Sequence, residues 1–374
     1  MLIIKKAYEI LTHEILLSKL EAIGVRGKLL MWIGSYFKRS FRVKVHECCG
    51  GDVQVELGVP QGSILGPLLY LIATNDINTI FDNPNTDVFD YADDKAIVVA
   101  HESLDMAEEI MQNNFNTLLS KTHDNGLIIN AHKTKLIHVH SPYFTTRQIT
   151  LTMHTTHCIH TNIAFGLPCH CDDCIEVVSE FKYLGIFVDS KFKWDRHIEY
   201  LNKRLRTQAY FIFQLRACLS PRSLRVIYCT LVESLIRYGI EAWGNSGATR
   251  LNTIHNQQRR VLKAISLKKQ RNLDIYDYCK QFDVLPAADL YKMLIILKYH
   301  GQNKYKTPNI HPYQTRGDLG LKEYMYTNDY GRQLLEYTVP RIFNLLPTHI
   351  KTQTKTQTLK TDIKHYLLHN TLTI

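Results

Sequence analysis

The chain has 374 residues, 45% hydrophobic and 21% charged, enough length and apolar content to bury a core and too much of both for a disordered tail. A formal charge of +10 and a pI near 9.0 favour polyanionic partners. No segment approaches the ~18 consecutive apolar residues of a membrane span, and MLIIKKAYEI lacks the zones of a signal peptide; an intracellular protein, nuclear or cytoplasmic and not secreted, is expected, its nine cysteines reduced.

Residues 14–37, EILLSKLEAIGVRGKLLMWIGSYF, repeat apolar positions at helical spacing and break at Gly24 and Gly27, which predicts two short helices. FRVKVHECCGGDVQVELGVPQG alternates like a hairpin with Gly50 and Gly51 at its turn. SILGPLLYLIATNDINTIF reads as a buried helix with Pro67 near its first turn. FDYADDKAIVVA, residues 89–100, then sets Asp93 and Asp94 between two β-like runs. Such a pair is either a solvated hairpin turn, where Asp is favoured for its local backbone bonds, or a set of hard oxygen ligands for a divalent metal such as Mg²⁺.

DMAEEIMQNNFNTLLSKTHDNGL returns to a helix that ends at Gly126, and LIINAHKTKLIHVHS is strand-like. A polar His/Cys-rich insertion fills roughly 141–175, and EVVSEFKYLGIFVD is strand again. From about 190 the pattern turns helical, with Ser220 and Pro221 fitting an N-cap and the first helical position. The tail, KTQTKTQTLKTDIKHYLL, opens on a polar stretch that suits a linker or a solvated helix. The fold class is α+β: an antiparallel sheet with packed helices in front, a mainly α-helical region behind. Charge follows the same division, for residues 1–189 carry 15 basic and 22 acidic side chains, a net of −7, and residues 190–374 carry 30 and 13, a net of +17. A carboxylate-bearing front joined to a basic back suits a metal site beside a phosphate-tracking surface.

Upstream of the Asp pair, GVPQGSILGPLLY (58–70) combines a stiffening Pro60, a Gly62 with no Cβ to block a ligand, and Gln61, which offers both a donor and an acceptor. GVPQGSILGPLL, YADD, LIINAHKTK and YLGIFVD, in that order, resemble the reverse transcriptases (RNA-directed DNA polymerases) of non-LTR, LINE-like, jockey-type retrotransposons. The likeness continues through KFKWDRHI, LIRYGIEAWGN, QQRRVLKAI and PRIFNLLPTHI. It implies a palm remnant over 1–189 carrying the His/Cys insertion, a helical thumb-like region over 190–270 and a helical C-terminal region over 271–374. Asp93 would be a direct Mg²⁺ ligand and Asp94 its acidic partner. Gln61 and Gly62 would line the incoming nucleotide, Lys133 would lie near its phosphates, and Leu184 with Gly185 would belong to the primer grip. Two Mg²⁺ ions would activate the primer hydroxyl and stabilise the leaving pyrophosphate. The implied partners are an RNA template, a DNA primer or target, and deoxynucleoside triphosphates, with no membrane.

The resemblance also exposes a departure. In the family a third carboxylate comes from an earlier strand, and the matching stretch here is MLIIKKAYEILTHEILLSKL, where Lys6, Ala7, Tyr8, Glu9 and His13 keep the register. Ile3 then occupies the catalytic Asp position, while Tyr8 falls where the family keeps an aromatic that screens out ribose 2′-hydroxyls. The same register puts Met1 inside the palm, with the fingers and an upstream endonuclease outside this N-terminally truncated chain. Little or no polymerase activity is expected, leaving as the alternative a non-catalytic nucleic-acid-binding protein derived from the element.

HTTHCIHTNIAFGLPCHCDDC, residues 154–174, packs four Cys and four His into one loop. Cys169, Cys171 and Cys174 are spaced to share a tetrahedral Zn²⁺ with Cys158, His157 or His160 as fourth ligand, against the alternative of a surface hairpin with uncoordinated thiols. Trp32, Trp194 and Trp243 are read as helix-packing anchors in preference to base-stacking platforms. Arg259, Arg260, Lys263, Lys268, Lys269 and Arg271 form the densest basic run, suited to nucleic-acid backbone contact or to a merely solvated face.

Overall fold

The structure, a computed structural model, describes residues 2–4, 8–60, 62–81, 83–140, 147–163, 171, 173–266, 273–301, 320–370 and 372. The chain divides into two units, Met1–Tyr183 and Leu184–Ile374, each with its own apolar core. The architecture is α+β. Among the described residues no helix is long and apolar enough to cross a membrane.

The first unit runs β1 (Leu2–Ile3), α1 (His13–Ala22), α2 (Gly27–Phe37), β2 (Arg39–Phe41), β3 (Lys44–Val45), β4 (Cys48–Cys49), β5 (Val53–Val55), α3 (Gly66–Thr74), β6 (Thr86–Tyr91), β7 (Asp94–Val99), α4 (Leu104–Asp124), β8 (Lys135–Leu136), the short α5 (Thr156–Cys158), β9 (Glu176–Val177) and β10 (Glu180–Tyr183). Gly24 and Gly27 separate α1 from α2 by adopting left-handed φ values of 98° and 61°, which a residue with a Cβ resists. Leu16 and Leu20 of α1, Leu69 and Tyr70 of α3, and Phe115 and Leu118 of α4 meet in the core. β1, β7 and β6 form an antiparallel sheet in that order. Its strands alternate: Lys95 is buried and Ile97 packs on the core, while Phe89, Tyr91 and Val98 are exposed on the other face. One face is thus closed by packing, and the other is open.

Two local expectations are corrected. The hairpin turns at His46–Glu47, because β3 pairs with β4 through Val45↔Cys48, and Gly50–Gly51 fall between β4 and β5. His46 supplies the positive φ, 53°, that a two-residue hairpin loop needs to match strand twist. LIINAHKTKLIHVHS is strand only at β8, which pairs in parallel with β9, plus a single bridge from Ile129 to Ile4. The Asn130 carbonyl accepts from the backbone N–H groups of Lys133 and Thr134 at 3.2 and 2.9 Å, and this turn ends any longer strand.

The second unit opens on β11 (Ile186–Asp189) and continues as α6 (Asp195–Leu215), α7 (Pro221–Ile227), a π-helical stretch (Tyr228–Glu233), α8 (Ser234–Arg237), α9 (Ile240–Trp243), α10 (Ala248–Ile265), α11 (Ile275–Phe282), α12 (Ala287–Tyr299), α13 (Asp329–Gln333), α14 (Leu335–Asn344), α15 (Thr348–Lys351) and α16 (Thr356–His369). The Ser220 hydroxyl caps α7 by accepting from the Ser223 N–H at 3.2 Å. α6 packs along α10, and one apolar cluster extends from Trp194 to Leu372. Gln258, fully buried on α10, donates to the Tyr228 hydroxyl and the Leu285 carbonyl and accepts from the Ala287 N–H, so its burial leaves no unmet polar cost. The polar tail is helix α16, which buries Leu359, Ile363, Leu367 and Leu368. Trp194 and Trp243 are core anchors, whereas Trp32 is 54% exposed, its ring stacked beside Tyr36 at 6.1 Å.

Candidate active site

The β6–β7 hairpin closes through Tyr91↔Asp94, leaving Ala92 and Asp93 as the turn. Ala92 carries φ 53°, a left-handed conformation that costs a residue with a Cβ about 1–2 kcal/mol. β1 lies against β7 with Ile3 directly opposite Asp94, and the Ile4 N–H points to the Asp93 carbonyl at 3.5 Å. The strand that carries position 3 therefore flanks the acidic turn. Beneath it, Asp90 and Lys95 face each other across the ladder and form an ion pair at 2.5 Å, with Lys95 only 5% exposed. Burial pulls the Lys95 ammonium down and Asp90 opposes that shift.

Tyrosines surround the turn: burial, and then Asp94 and Asp90, raise the Tyr183 hydroxyl, and two more form a pair. Tyr8 and Tyr70 pack with ring centroids 4.7 Å apart and planes tilted by 30°. Burial, and then the charge of Asp93, push both hydroxyls above the usual phenol range, Tyr70 strongly. The Tyr70 hydroxyl is buried without a hydrogen-bond partner among the described residues. Asp94 is likewise raised, by burial first and by Asp93 second. Repulsion between the adjacent carboxylates is felt at the turn, as it is at a site built for a cation.

Gly58 sets the position of Tyr8. Its N–H donates to the Leu11 carbonyl at 2.7 Å and the Val59 N–H donates to the Tyr8 carbonyl at 2.8 Å. With φ +81°, a Cβ at position 58 would lie 2.5 Å from the Tyr8 carbonyl oxygen and 2.7 Å from that of Glu9. Only glycine lets the two segments approach so closely. His13 adds a 2.8 Å hydrogen bond to the Gly58 carbonyl and stacks on Phe37.

These residues fit Mg²⁺ incompletely. Hard oxygen donors are the right chemistry, but Asp93 in the turn and Asp94 at the start of β7 both come from one hairpin. Among the described residues no third His, Cys or carboxylate joins them within ligand range. The opposing strand brings isoleucine to the ladder position facing Asp94. Among the described residues a clamp on two ions is not assembled.

The other expected residues are dispersed. Gly62 has φ +81° and nothing within 4 Å of a would-be Cβ, an open approach. Lys133 is exposed on the Asn130 turn; Gln61 lies outside the described residues. Leu184 and Gly185 belong to the second unit, where the Tyr238 hydroxyl donates to the Leu184 carbonyl at 2.5 Å. Arg259, Arg260 and Lys263 are exposed along α10, and the first two line a polar groove with Arg206 and Asn202 of α6. Lys268, Lys269 and Arg271 lie outside the described residues, as does Cys169. Sequence reasoning missed Tyr70 and the Asp90–Lys95 pair. The pair was readable from a two-residue turn, which fixes position 90 opposite position 95; Tyr70 carried no such signal.

The family described as reverse transcriptase (RNA-dependent DNA polymerase) matches residues 2–188. Over 272 residues the chain is 28% identical to the RNA-directed DNA polymerase from mobile element jockey of Drosophila funebris, covering 70% of this chain and 28% of that protein. It is 26% identical over 271 residues to the probable RNA-directed DNA polymerase from transposon BS of Drosophila melanogaster, with coverage of 70% and 28%. Similarity to the corresponding X-element protein of Drosophila melanogaster is 24% over 239 residues, 60% of this chain and 24% of that one. The chain thus spans only about a quarter of the length of these relatives. With the match reaching from β1 through the acidic hairpin to β11, the chain belongs to the reverse transcriptase family, in its non-LTR, jockey-like branch.

Proposed function

We propose that this chain is the palm-to-thumb part of an RNA-directed DNA polymerase whose nucleotidyl-transfer centre lacks one of its acids, so that it engages template and primer but extends poorly or not at all. The observation that carries this reading is the Ile3↔Asp94 register: the ladder position that faces the Tyr-Ala-Asp-Asp turn holds a residue unable to ligate a cation. In the family's chemistry, carboxylates from two strands hold two Mg²⁺ ions that activate the primer hydroxyl and the leaving pyrophosphate. Losing one clamp removes about 4 kcal/mol or more of transition-state stabilisation, roughly a thousandfold in rate. Asp93 and Asp94 would bind Mg²⁺ weakly, Tyr8 would screen the sugar, Gly62 and Gln61 would admit the nucleotide, and Lys133 would meet its phosphates. The palm remnant, the helical thumb and the primer-grip turn at Leu184–Gly185 are parts of the same reading, as are RNA, DNA and deoxynucleoside triphosphates as partners.

Primer extension on an RNA template with Mg²⁺ or Mn²⁺ tests it. Extension at the rate of an intact polymerase by the unaltered chain refutes the missing-acid reading. Little or no extension, together with Fe²⁺-dependent backbone cleavage next to Asp93 that Asp93→Asn abolishes, supports it. A second reading, nucleic-acid binding without catalysis, is favoured by the exposed Arg259, Arg260 and Lys263 on α10 beside Arg206. Salt-sensitive binding that survives Asp93→Asn, with no cleavage near the turn, would favour it.

A further inference from the structure

The insertion holds a group of side chains that the polymerase reading does not use. The Nδ1 or Nε2 of His154 and the sulfurs of Cys158 and Cys171 all lie within 4.8 Å of one another, with His154 Nδ1 3.9 Å from Cys158 Sγ. Ligands of a tetrahedral zinc, at about 2.3 Å for sulfur and about 2.0–2.1 Å for nitrogen, stand roughly 3.5–3.8 Å apart. Contraction by at most about 1.3 Å would bring the three atoms to that spacing.

Two backbone devices build this arrangement. Thr152 bridges Cys174 in antiparallel register, and the Met153 N–H donates to the Asp173 carbonyl at 2.7 Å, which carries Cys171 back alongside His154. The Thr155 hydroxyl accepts from the Cys158 N–H at 3.1 Å, starting the short α5 so that Cys158 comes round one turn after His154. The platform is anchored to α4: Gln112 donates to the Thr152 carbonyl and accepts from the Thr152 N–H, both at 2.8 Å. Glu108 accepts from the Thr150 N–H at 2.7 Å. Cys158 is buried, and His154 and Cys171 are half-buried, so a bound ion would be partly shielded from water.

We propose that His154, Cys158 and Cys171 form a zinc site that fastens the insertion to itself beside α4, with a water molecule or another donor completing the tetrahedron. Two thiolates and an imidazole select zinc over the hard ions of the acidic turn. This differs from the cysteine cluster expected from spacing alone. Cys174 is exposed and outside the group, His157 and His160 are not in it, and His154 enters because it lies one turn before Cys158 while the Thr152–Cys174 bridge brings Cys171 beside it. The inference stands independently of the polymerase reading.

The test is metal content of the purified full chain, with competition against a chromophoric chelator for affinity. One equivalent of zinc is expected, lost or weakened at least a hundredfold in Cys171→Ser and His154→Asn and retained in Cys174→Ser. Cys158 is buried and its replacement risks the fold, so the two half-buried positions carry the test, with a cooperative thermal transition as the check on folding. Removing zinc from the unaltered chain should lower its melting temperature and leave that of Cys171→Ser unchanged. Metal-free protein at micromolar zinc, zinc retained by His154→Asn, or zinc lost in Cys174→Ser would each overturn the assignment.

Discussion

Placing an acid at position 3 gives a quantitative check on the register beside the acidic turn. Positions 3 and 94 are directly opposite in an antiparallel ladder, and pairs so placed generally have Cβ atoms about 4.5–5.5 Å apart. Ile3→Asp therefore sets a third carboxylate about 5 Å from Asp94, whose carboxyl burial and Asp93 already raise. At an effective dielectric of ~20 that repulsion is roughly 3 kcal/mol. Solvent on the open face of the sheet screens it to about 1–2 kcal/mol. In a unit spanning Met1–Tyr183 this lowers the melting temperature by about 3–6 °C in chelator. Mg²⁺ should reverse the loss, since an ion at a hundred times its dissociation constant returns about 2.7 kcal/mol. The unaltered chain, with no acid at position 3, should respond little. Thermal melts of both proteins with EDTA and with millimolar Mg²⁺ read this out. Equal Mg²⁺ responses in the two proteins, or Ile3→Asp with an unchanged melt in EDTA, would refute the pairing of position 3 with the acidic turn.

Three other outcomes follow from the geometry. Gly58→Ala forces a Cβ to 2.5 Å from the Tyr8 carbonyl oxygen at φ +81°, and should cost at least 2 kcal/mol in urea unfolding; a loss under about 0.5 kcal/mol would show that the Tyr8 segment moves freely. In the second unit Lys292 donates to Asp289 at 2.7 Å and to the Leu372 carbonyl at 2.6 Å, with Asp289 fully buried. Burial raises the Asp289 carboxyl, Lys292 opposing, while burial and Lys292 pull nearby His255 down to about 4. Lys292→Met should destabilise by about 3–5 kcal/mol at neutral pH. Without the ammonium both groups take protons more readily in the folded state, so the deficit should shrink as pH falls from 7 towards 5; a deficit independent of pH would contradict this. Arg259→Ala with Arg260→Ala should weaken single-stranded nucleic-acid binding and reduce its log–log salt slope by about 1–2, and an unchanged slope would remove the α10 groove from the interface.

Local chemistry was legible in the sequence wherever one residue type decides a backbone state. Gly24 and Gly27 divided α1 from α2, Ser220–Pro221 started α7, and Gly126 followed the end of α4, because glycine tolerates positive φ and a hydroxyl satisfies exposed helical N–H groups. Order along the chain likewise fixed the family and the acidic hairpin. Pairing partners beyond the Asp-Asp hairpin were not legible. Nothing local places the hairpin turn at His46–Glu47 rather than at the two glycines, cuts the expected strand at Asn130, or exposes Trp32 while burying Trp194 and Trp243, since each depends on what the rest of the unit packs against.

The sequence by itself determined the alternation that makes β6 and β7 strands, the acidic pair between them and the isoleucine at position 3. Tertiary structure decided that β1 lies against β7, that Tyr70 joins Tyr8 beside Asp93, and that Cys171 rather than Cys174 meets His154 and Cys158. The physical reason is that spacing along a chain constrains contacts only within a helical turn or a tight hairpin. Groups brought together from distant segments are selected by strand register and by burial of the core behind them, which no short stretch of residues carries.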